Sequence, residues 1–384
     1  MRLRPDKDRP PRILIVAGEA SGDLHGAALA REIRARASDC ELFGIAGEQM
    51  RAAGVRALVN VEEIAGLGVV ELASTIGRTL SAMRMLIRLV KRDPPDLVIL
   101  IDYADFNLFF ARFVRRAGVP ILYYIVPQVW AWRRGRIAKL VRRSDRLAVV
   151  FPFEKQVYAA GGDRVMFVGH PLLDITQPAA DRTTTLARHG FPPAAHLLAI
   201  LPGSRRGEVL HLLPPMAAAA RLLADRRGLL PVILLAPTLT EADLRAAAGD
   251  AIAGIRIIAG DSYSIIAASE LALVTSGTAT LETALLGCPM VIAYKMSPLS
   301  YAVARTLVRG VGSIGMPNIL AGRRIVPELI QRDVTAEKLA HAGELMLDEP
   351  ARSATIAALG TIRSMLGTPG AAGRVAEIAL GMIA

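Results

Sequence analysis

Two turns built of small residues and one isolated carboxylate carry the chemistry available to this sequence. Residues 271–275 form an apolar run of strand length, Ser276, Gly277 and Thr278 interrupt it, and 279–286 reads as a helix. The first turn of a helix leaves backbone N–H groups unpaired and carries partial positive charge. The small residues Ser276, Gly277, Thr278, Ala279 and Thr280 let a phosphate approach those groups. Glu282 follows about one turn into the helix, where a carboxylate can accept hydrogen bonds from ribose hydroxyls. A second turn of the same build runs from Leu201 through Pro202, Gly203, Ser204 and Arg205 to Gly207 and adds a guanidinium, which grips two phosphate oxygens at once. Each turn alone is also an ordinary helix cap with a solvated side chain. Together they read as a diphosphate site that needs no metal.

Asp102 ends the apolar run 97–101. Partly shielded there, a carboxylate remains a base near neutral pH and takes a proton from a hydroxyl. The alternative role, an N-cap for the helix that follows, suits Asp105 better. The spacing of Asp102 and Asp105 is wrong for an Asp-x-Asp metal–diphosphate motif, and the scattered histidines form no ligand pair at helical spacing. No metal and no cofactor is expected. No Gly-x-x-x-x-Gly-Lys-Ser/Thr run is present, and the loop at Gly18 lacks Gly-x-Gly-x-x-Gly. His170 before Pro171 reads as a hinge; Trp130 and Trp132 read as core packing, with a wall of the site as the alternative.

The elements that must position these residues alternate. Strands are expected over 12–17, 41–46, 96–101, 120–125, 146–150 and 165–168, with helices near 24–36 and 74–92 among them. A polar, proline-bearing stretch then breaks the pattern, and a second series follows at 196–201, 231–236, 255–258, 271–275 and 289–293. Residues 307–320 read as a glycine-rich loop, and helices fill 336–347, 351–365 and 371–383. Such alternation argues for parallel sheets covered on both faces, with ligands beyond the carboxyl ends of the strands. The division is 1–172, a linker 173–193, 194–350, and C-terminal helices 351–384 that pack back on the N-terminal half. A chain of 384 residues fits two domains.

The set of motifs resembles lipid-A-disaccharide synthases. The matching stretches begin at Val16, with Glu19, Ser21 and Asp23, and continue through Gly44 to Gly47, Ile101 to Asn107, Pro127 to Arg133, Phe151 to Lys155, Val168 to Pro171, Leu201 to Arg205, Ser276 to Glu282 and Met316 to Gly322, in family order. The resemblance departs at Tyr103-Ala104 and in a longer basic start, neither of which touches a reacting group. It implies a GT-B fold: α/β, two Rossmann-like domains with parallel sheets facing a central cleft, acceptor on the first and donor nucleotide on the second. It implies an inverting, metal-independent transfer from UDP-2,3-diacylglucosamine to 2,3-diacylglucosamine 1-phosphate (lipid X), giving a β-1′,6 disaccharide 1-phosphate and UDP. Asp102 then matches the family's essential aspartate and serves as base. Ser204, Arg205, Ser276 to Thr280, Glu282 and Asn318 line the donor side, and Glu19, Ser21 and Asp23 the acceptor side. Other GT-B enzymes, a UDP-sugar epimerase or the peptidoglycan glycosyltransferase, are the nearest alternatives.

A net charge of +11 calls for an anionic partner. A nucleic-acid-binding protein is a reading of another class, but the arginines lack interleaved stacking aromatics and no nucleic-acid fold pattern appears. The anionic surface expected is the cytoplasmic face of the inner membrane, on a peripheral cytoplasmic protein; the sequence leaves a homodimer open. On the helix 74–92, Ile76, Leu80, Met83, Ile87 and Val90 are expected to face the core, with Arg84, Met85, Arg88 and Leu89 outward against lipid. The apolar segment 64–70 precedes them. Cys40 and Cys288 read as buried thiols in a reducing compartment.

Overall fold

A computed structural model of the chain describes residues 9–64, 72–296 and 312–383. The chain divides into two compact units, Met1–Pro171 with Leu366–Ala384, and Leu172–Met365. The first unit is built on β1 (Arg12–Ala17), β2 (Glu41–Ala46), β3 (Arg56–Asn60), β4 (Leu97–Ile101), β5 (Ile121–Tyr124), β6 (Arg146–Val149) and β7 (Val165–Phe167), in the order β3-β2-β1-β4-β5-β6-β7. The second is built on β8 (Leu197–Leu201), β9 (Leu230–Leu235), β10 (Arg256–Ala259), β11 (Ser269–Thr275), β12 (Met290–Tyr294) and β13 (Glu328–Ile330), in the order β10-β9-β8-β11-β12-β13. All the pairings are parallel.

Helices cover both faces of each sheet, which is why β4 can be the unbroken apolar run Leu-Val-Ile-Leu-Ile with every residue buried. In both sheets the chain winds outward in one direction from the first strand, then returns to its other side. The reversal falls between β1 and β4 in the first unit and between β8 and β11 in the second. At such a point the connections leave in opposite directions and open a crevice at the carboxyl ends of the two strands.

Several sequence expectations change. The stretch 173–193 is not an irregular linker: it holds the helices Leu172–Ile175 and Arg182–Arg188 and belongs to the second unit, where Asp181 caps Thr184 N–H at 2.8 Å and Arg182 donates to the carbonyl of Ala195 at 2.7 Å. The C-terminal helices do not act together. Ala351–Met365 packs on Thr278–Leu285 in the second unit, whereas Ala371–Gly381 packs on Ala20–Arg36 in the first. Arg374 fastens the latter by donating to the carbonyls of Val168 at 2.8 Å and Thr368 at 2.6 Å. The strands β3 and β13 are too short and too polar to stand out as apolar runs. Part of the expected loop 307–320 is the helix Met316–Ala321; its residues 307–311, and the apolar segment 65–70, lie outside the described residues.

The helix Leu72–Arg92 buries Ala82, Met83, Leu86 and Val90, with Ile87 packed against the same core, so Met83, Ile87 and Val90 face inward as expected and Ile76 and Leu80 do not. Ile76 and Leu80 are 52% and 48% exposed, and Leu89 is half-buried against the core. Apolar residues occupy more than half of this helix's circumference, so the pattern alone does not select the face that packs. Among the described residues no helix is long and apolar enough to cross a membrane.

Gly44, in the middle of β2, has φ 151°, and a Cβ there would collide with the carbonyl oxygen of Ile15 on β1. Gly44→Ala is expected to destabilise the first unit by about 3 kcal/mol. Equilibrium denaturation checks this; a loss below about 0.5 kcal/mol would contradict the packing described.

Candidate active site

In the first unit, the turns after β1 and β4 meet at the crevice. Asp102 and Tyr103 both adopt left-handed backbone, φ 44° and 47°. This conformation is unfavourable for residues with a side chain and persists only where surrounding contacts enforce it. Here two buried side chains do so. Tyr123 Oη donates to the Asp102 carbonyl at 2.7 Å, and Asn107 Nδ2, fully buried, donates to the carbonyls of Asp102 at 3.0 Å and Ile101 at 3.2 Å. Tyr103 is then laid over Gly18, where a Cβ would fall inside its ring, and stacks on Phe106 at 5.0 Å. Ile125, at the end of the neighbouring β5, is a third left-handed residue at this rim, with φ 54°.

The outcome is a half-buried Asp102 carboxyl whose pKa is pushed up to about 6, first by loss of solvent and then by the charge of Glu19, opposed by a hydrogen bond from the Tyr103 N–H. A carboxyl with such a pKa is able to act as a base near neutral pH. Glu19 and Ser21 are exposed at the start of the helix Ala20–Arg36. Asp23 is not available to a ligand. It is buried, and its carboxylate accepts from Gly47 N at 2.7 Å, Gln49 N at 2.9 Å and Met50 N at 3.1 Å, capping the helix Glu48–Ala52. Burial, with His25 nearby, holds His170 neutral, its pKa down to about 3.

Sequence reasoning missed Glu154. Its buried carboxylate accepts from Trp130 Nε1 at 3.1 Å and from the N–H groups of Phe151 at 3.1 Å and Val150 at 3.2 Å, tying Trp130 to the turn after β6. Burial nevertheless pushes its pKa up to about 7. The position of Glu154 before Lys155 looks like a solvated helix start, so no local pattern marks it.

In the second unit the two small-residue turns leave β8 and β11, which are adjacent strands, so the turns lie side by side. The helix Thr278–Leu285 begins at Gly277 with no side chain capping it, and nothing lies within 4 Å of where a Gly277 Cβ would stand. Ser276, Gly277, Thr278 and Ala279 are exposed or half-exposed, and the Ser276 hydroxyl donates to the Ile314 carbonyl at 3.2 Å. After β8, Glu208 folds the other turn: it accepts from Ser204 N at 3.1 Å and from Arg205 at 3.3 Å, leaving the Arg205 side chain 61% exposed. Open helix N–H groups and an exposed guanidinium on neighbouring turns are groups that attract an anion.

Two residues expected on this side do not reach it. Thr280 is fully buried and donates its hydroxyl to the Gly277 carbonyl at 2.8 Å. Asn318 is buried with its amide spent: it donates to Val326 O at 2.9 Å and Glu328 Oε1 at 2.7 Å and accepts from Ile325 N and Val326 N. Glu328 in turn accepts from Ile314 N and Gly315 N, so Asn318 supports the Ser276 turn from behind. Glu282 is half-buried, and its carboxyl pKa is raised by burial and held back by a hydrogen bond from Tyr263.

Two parallel-sheet Rossmann-like units of this strand order, one with a shielded carboxyl at its switch point and the other with uncapped helix N–H groups beside an exposed arginine, define the GT-B class. The family model described as lipid-A-disaccharide synthetase matches residues 13–364. A lipid-A-disaccharide synthase from Geobacter metallireducens is 46% identical over 376 residues, 97% of each chain. The chain belongs to the lipid-A-disaccharide synthase family. Among solved structures, the calicheamicin glycosyltransferase resembles it with TM-score 0.63 at 17% identity, covering 98% of this chain and 100% of that one. The UDP-GlcNAc 2-epimerase of Neisseria meningitidis, bound to UDP-GlcNAc, does so with TM-score 0.61 at 12% identity, covering 97% and 99%. Both likenesses concern the fold alone.

The raised pKa of Asp102 has a consequence for stability. The folded state holds this proton more tightly than the unfolded chain, with a pKa of about 6 against an ordinary 3.8. Ionisation therefore destabilises the fold. The penalty is absent below the unfolded value, grows as pH rises through the interval and is complete above about 6, on the order of 2 kcal/mol. Asp102→Asn should melt several degrees above wild type at pH 7.5, with the gap closing towards pH 4. A variant that melts below wild type at pH 7.5 would contradict the shielded carboxylate.

Proposed function

We propose that this chain catalyses the family's transfer: the 6-hydroxyl of lipid X attacks C1 of UDP-2,3-diacylglucosamine, and the products are the β-1′,6-linked tetraacyl disaccharide 1-phosphate and UDP. The observation that carries the reading is the identity to a lipid-A-disaccharide synthase along 97% of both chains. The site chemistry supports it. Inversion at C1 needs one base and one stabilised leaving group. Asp102 takes the acceptor's hydroxyl proton as the new C1–O bond forms. The bond from C1 to the diphosphate oxygen breaks, and the charge left on UDP is met by Arg205 and the N–H groups opening the helix at Gly277 and Thr278. Arg205 suits this role because a planar guanidinium can grip two phosphate oxygens at once. Glu19 and Ser21 are assigned to the acceptor side, and Glu282 to the donor ribose.

Lipid substrates place the reaction at a bilayer surface, and we assign the inner membrane's cytoplasmic face as partner. On the helix Leu72–Arg92 the exposed residues Ile76, Leu80, Arg84 and Arg88 follow one another at intervals of four, with Met85 exposed beside them. Two apolar side chains continued by two arginines suit an acidic interface, each cation contributing about 1 kcal/mol. Leu89 is withdrawn from this contact because it packs inward.

Purified protein supplied with lipid X and UDP-2,3-diacylglucosamine should yield the disaccharide by mass spectrometry. Asp102→Asn should lower turnover by roughly a hundred- to ten-thousand-fold while still binding UDP. Release of UDP without disaccharide, or near-normal turnover by Asp102→Asn, would contradict the assignment. In sedimentation with anionic vesicles, Arg84→Glu/Arg88→Glu and Ile76→Ser/Leu80→Ser should each weaken binding; undiminished binding by both removes this helix as the contact.

A further inference from the structure

Glu282 is held by a residue that no sequence pattern marks. Tyr263 lies in the helix Ser262–Ala268, which packs on the helix Thr278–Leu285 carrying Glu282. Its phenol donates to Glu282 Oε1 at 2.7 Å. Among the described residues Tyr263 is the one hydrogen-bond partner found for Glu282, so Oε2 is left without one. Both side chains are half-buried. Burial and the adjacent carboxylate push the Tyr263 phenol's pKa up, so it stays protonated and acts as a donor to Glu282. A hydrogen bond from a neutral donor to a carboxylate is among the stronger kinds, and it favours the ionised form.

A glutamate side chain has three freely turning bonds, and a half-buried one with no partner would protonate or swing to solvent. Fixing one oxygen removes both outcomes and leaves the second oxygen as a pre-oriented acceptor, one turn along the helix from the anion site at Gly277. A vicinal diol next to a diphosphate is the ligand feature that such an acceptor discriminates. We propose that Tyr263 is a positioning residue for nucleotide recognition, holding Glu282 so that its free oxygen accepts from the ribose 2′-hydroxyl of the bound uridine diphosphate. The proposal rests on the donor-site reading above and adds to it a selection of ribo- over deoxyribonucleotide that depends on the phenol.

The test is calorimetric titration of UDP and 2′-deoxy-UDP into the full-length wild type, Tyr263→Phe and Glu282→Gln, with melting temperatures recorded for each. Wild type should prefer UDP. Tyr263→Phe should fold normally and lose on the order of tenfold in UDP affinity, while 2′-deoxy-UDP binding changes less than twofold, so that the preference collapses. In turnover, its KM for the donor should rise with kcat little changed, and Glu282→Gln should show the same loss of preference. An unchanged ratio in Tyr263→Phe, or an equal loss for both nucleotides, overturns the positioning role while leaving the donor site standing. A wild type that binds both nucleotides equally overturns the ribose assignment, and one that binds neither overturns the donor-site reading and this inference together.

Discussion

The left-handed backbone of Asp102 and Tyr103 is the constraint from which the first unit's chemistry follows. A strand that ended in ordinary geometry would send the next side chain along the sheet. Two successive residues with positive φ turn the chain sharply, and the strain is held by Tyr123 and Asn107 through the Asp102 and Ile101 carbonyls. Both restraining side chains are fully buried, so the turn is secured from the core, not from the surface. It also fixes the ring of Tyr103 over Gly18, joining the two turns that flank the switch point. Burial at this turn, with Glu19 adding to it, raises the Asp102 carboxyl to a pKa of about 6.

The two units repeat one topology and put it to opposite electrostatic uses. In the second, the switch-point turns expose uncapped N–H groups and an arginine, which attract negative charge. In the first, the corresponding turns carry Glu19 and Asp102, and burial, followed by repulsion from Glu19, raises the affinity of Asp102 for a proton. In the proposed reaction the anion-attracting turns meet the leaving diphosphate and the crowded carboxylate takes up the proton. Those are the two requirements of a displacement that inverts the sugar carbon, and they arise from the same strand order by changes in a few turn residues.

Much of this was legible in the sequence. The apolar runs that became β1, β4, β8 and β11 are buried on both faces, so they read clearly, and the residues closing them marked the switch points. Roles that depend on long-range partners were not legible. Asp23 stands beside exposed Glu19 and Ser21 in one motif, yet faces the other way, because the N–H groups of Gly47, Gln49 and Met50 arrive from across the unit. Asn318 and Thr280 lie in the donor-side motifs but spend their polar atoms on the backbone that shapes them. Tyr263 and Glu154 were missed for the converse reason: each acts on a residue distant in sequence, Glu282 or Trp130, and neither spacing nor composition records such a pairing.

The central claim is that Asp102, held at this turn, is the base. The most direct measurement is kcat/KM for disaccharide formation between pH 4.5 and 8.5 in wild type and, on its residual activity, in Asp102→Asn. The account predicts a tenfold fall per pH unit below about 6 in wild type, matching a carboxyl raised to about 6, and the loss of that limb in the variant. A limb of the same position and slope in both would assign the titration to the substrate phosphate or another group, and would contradict the claim.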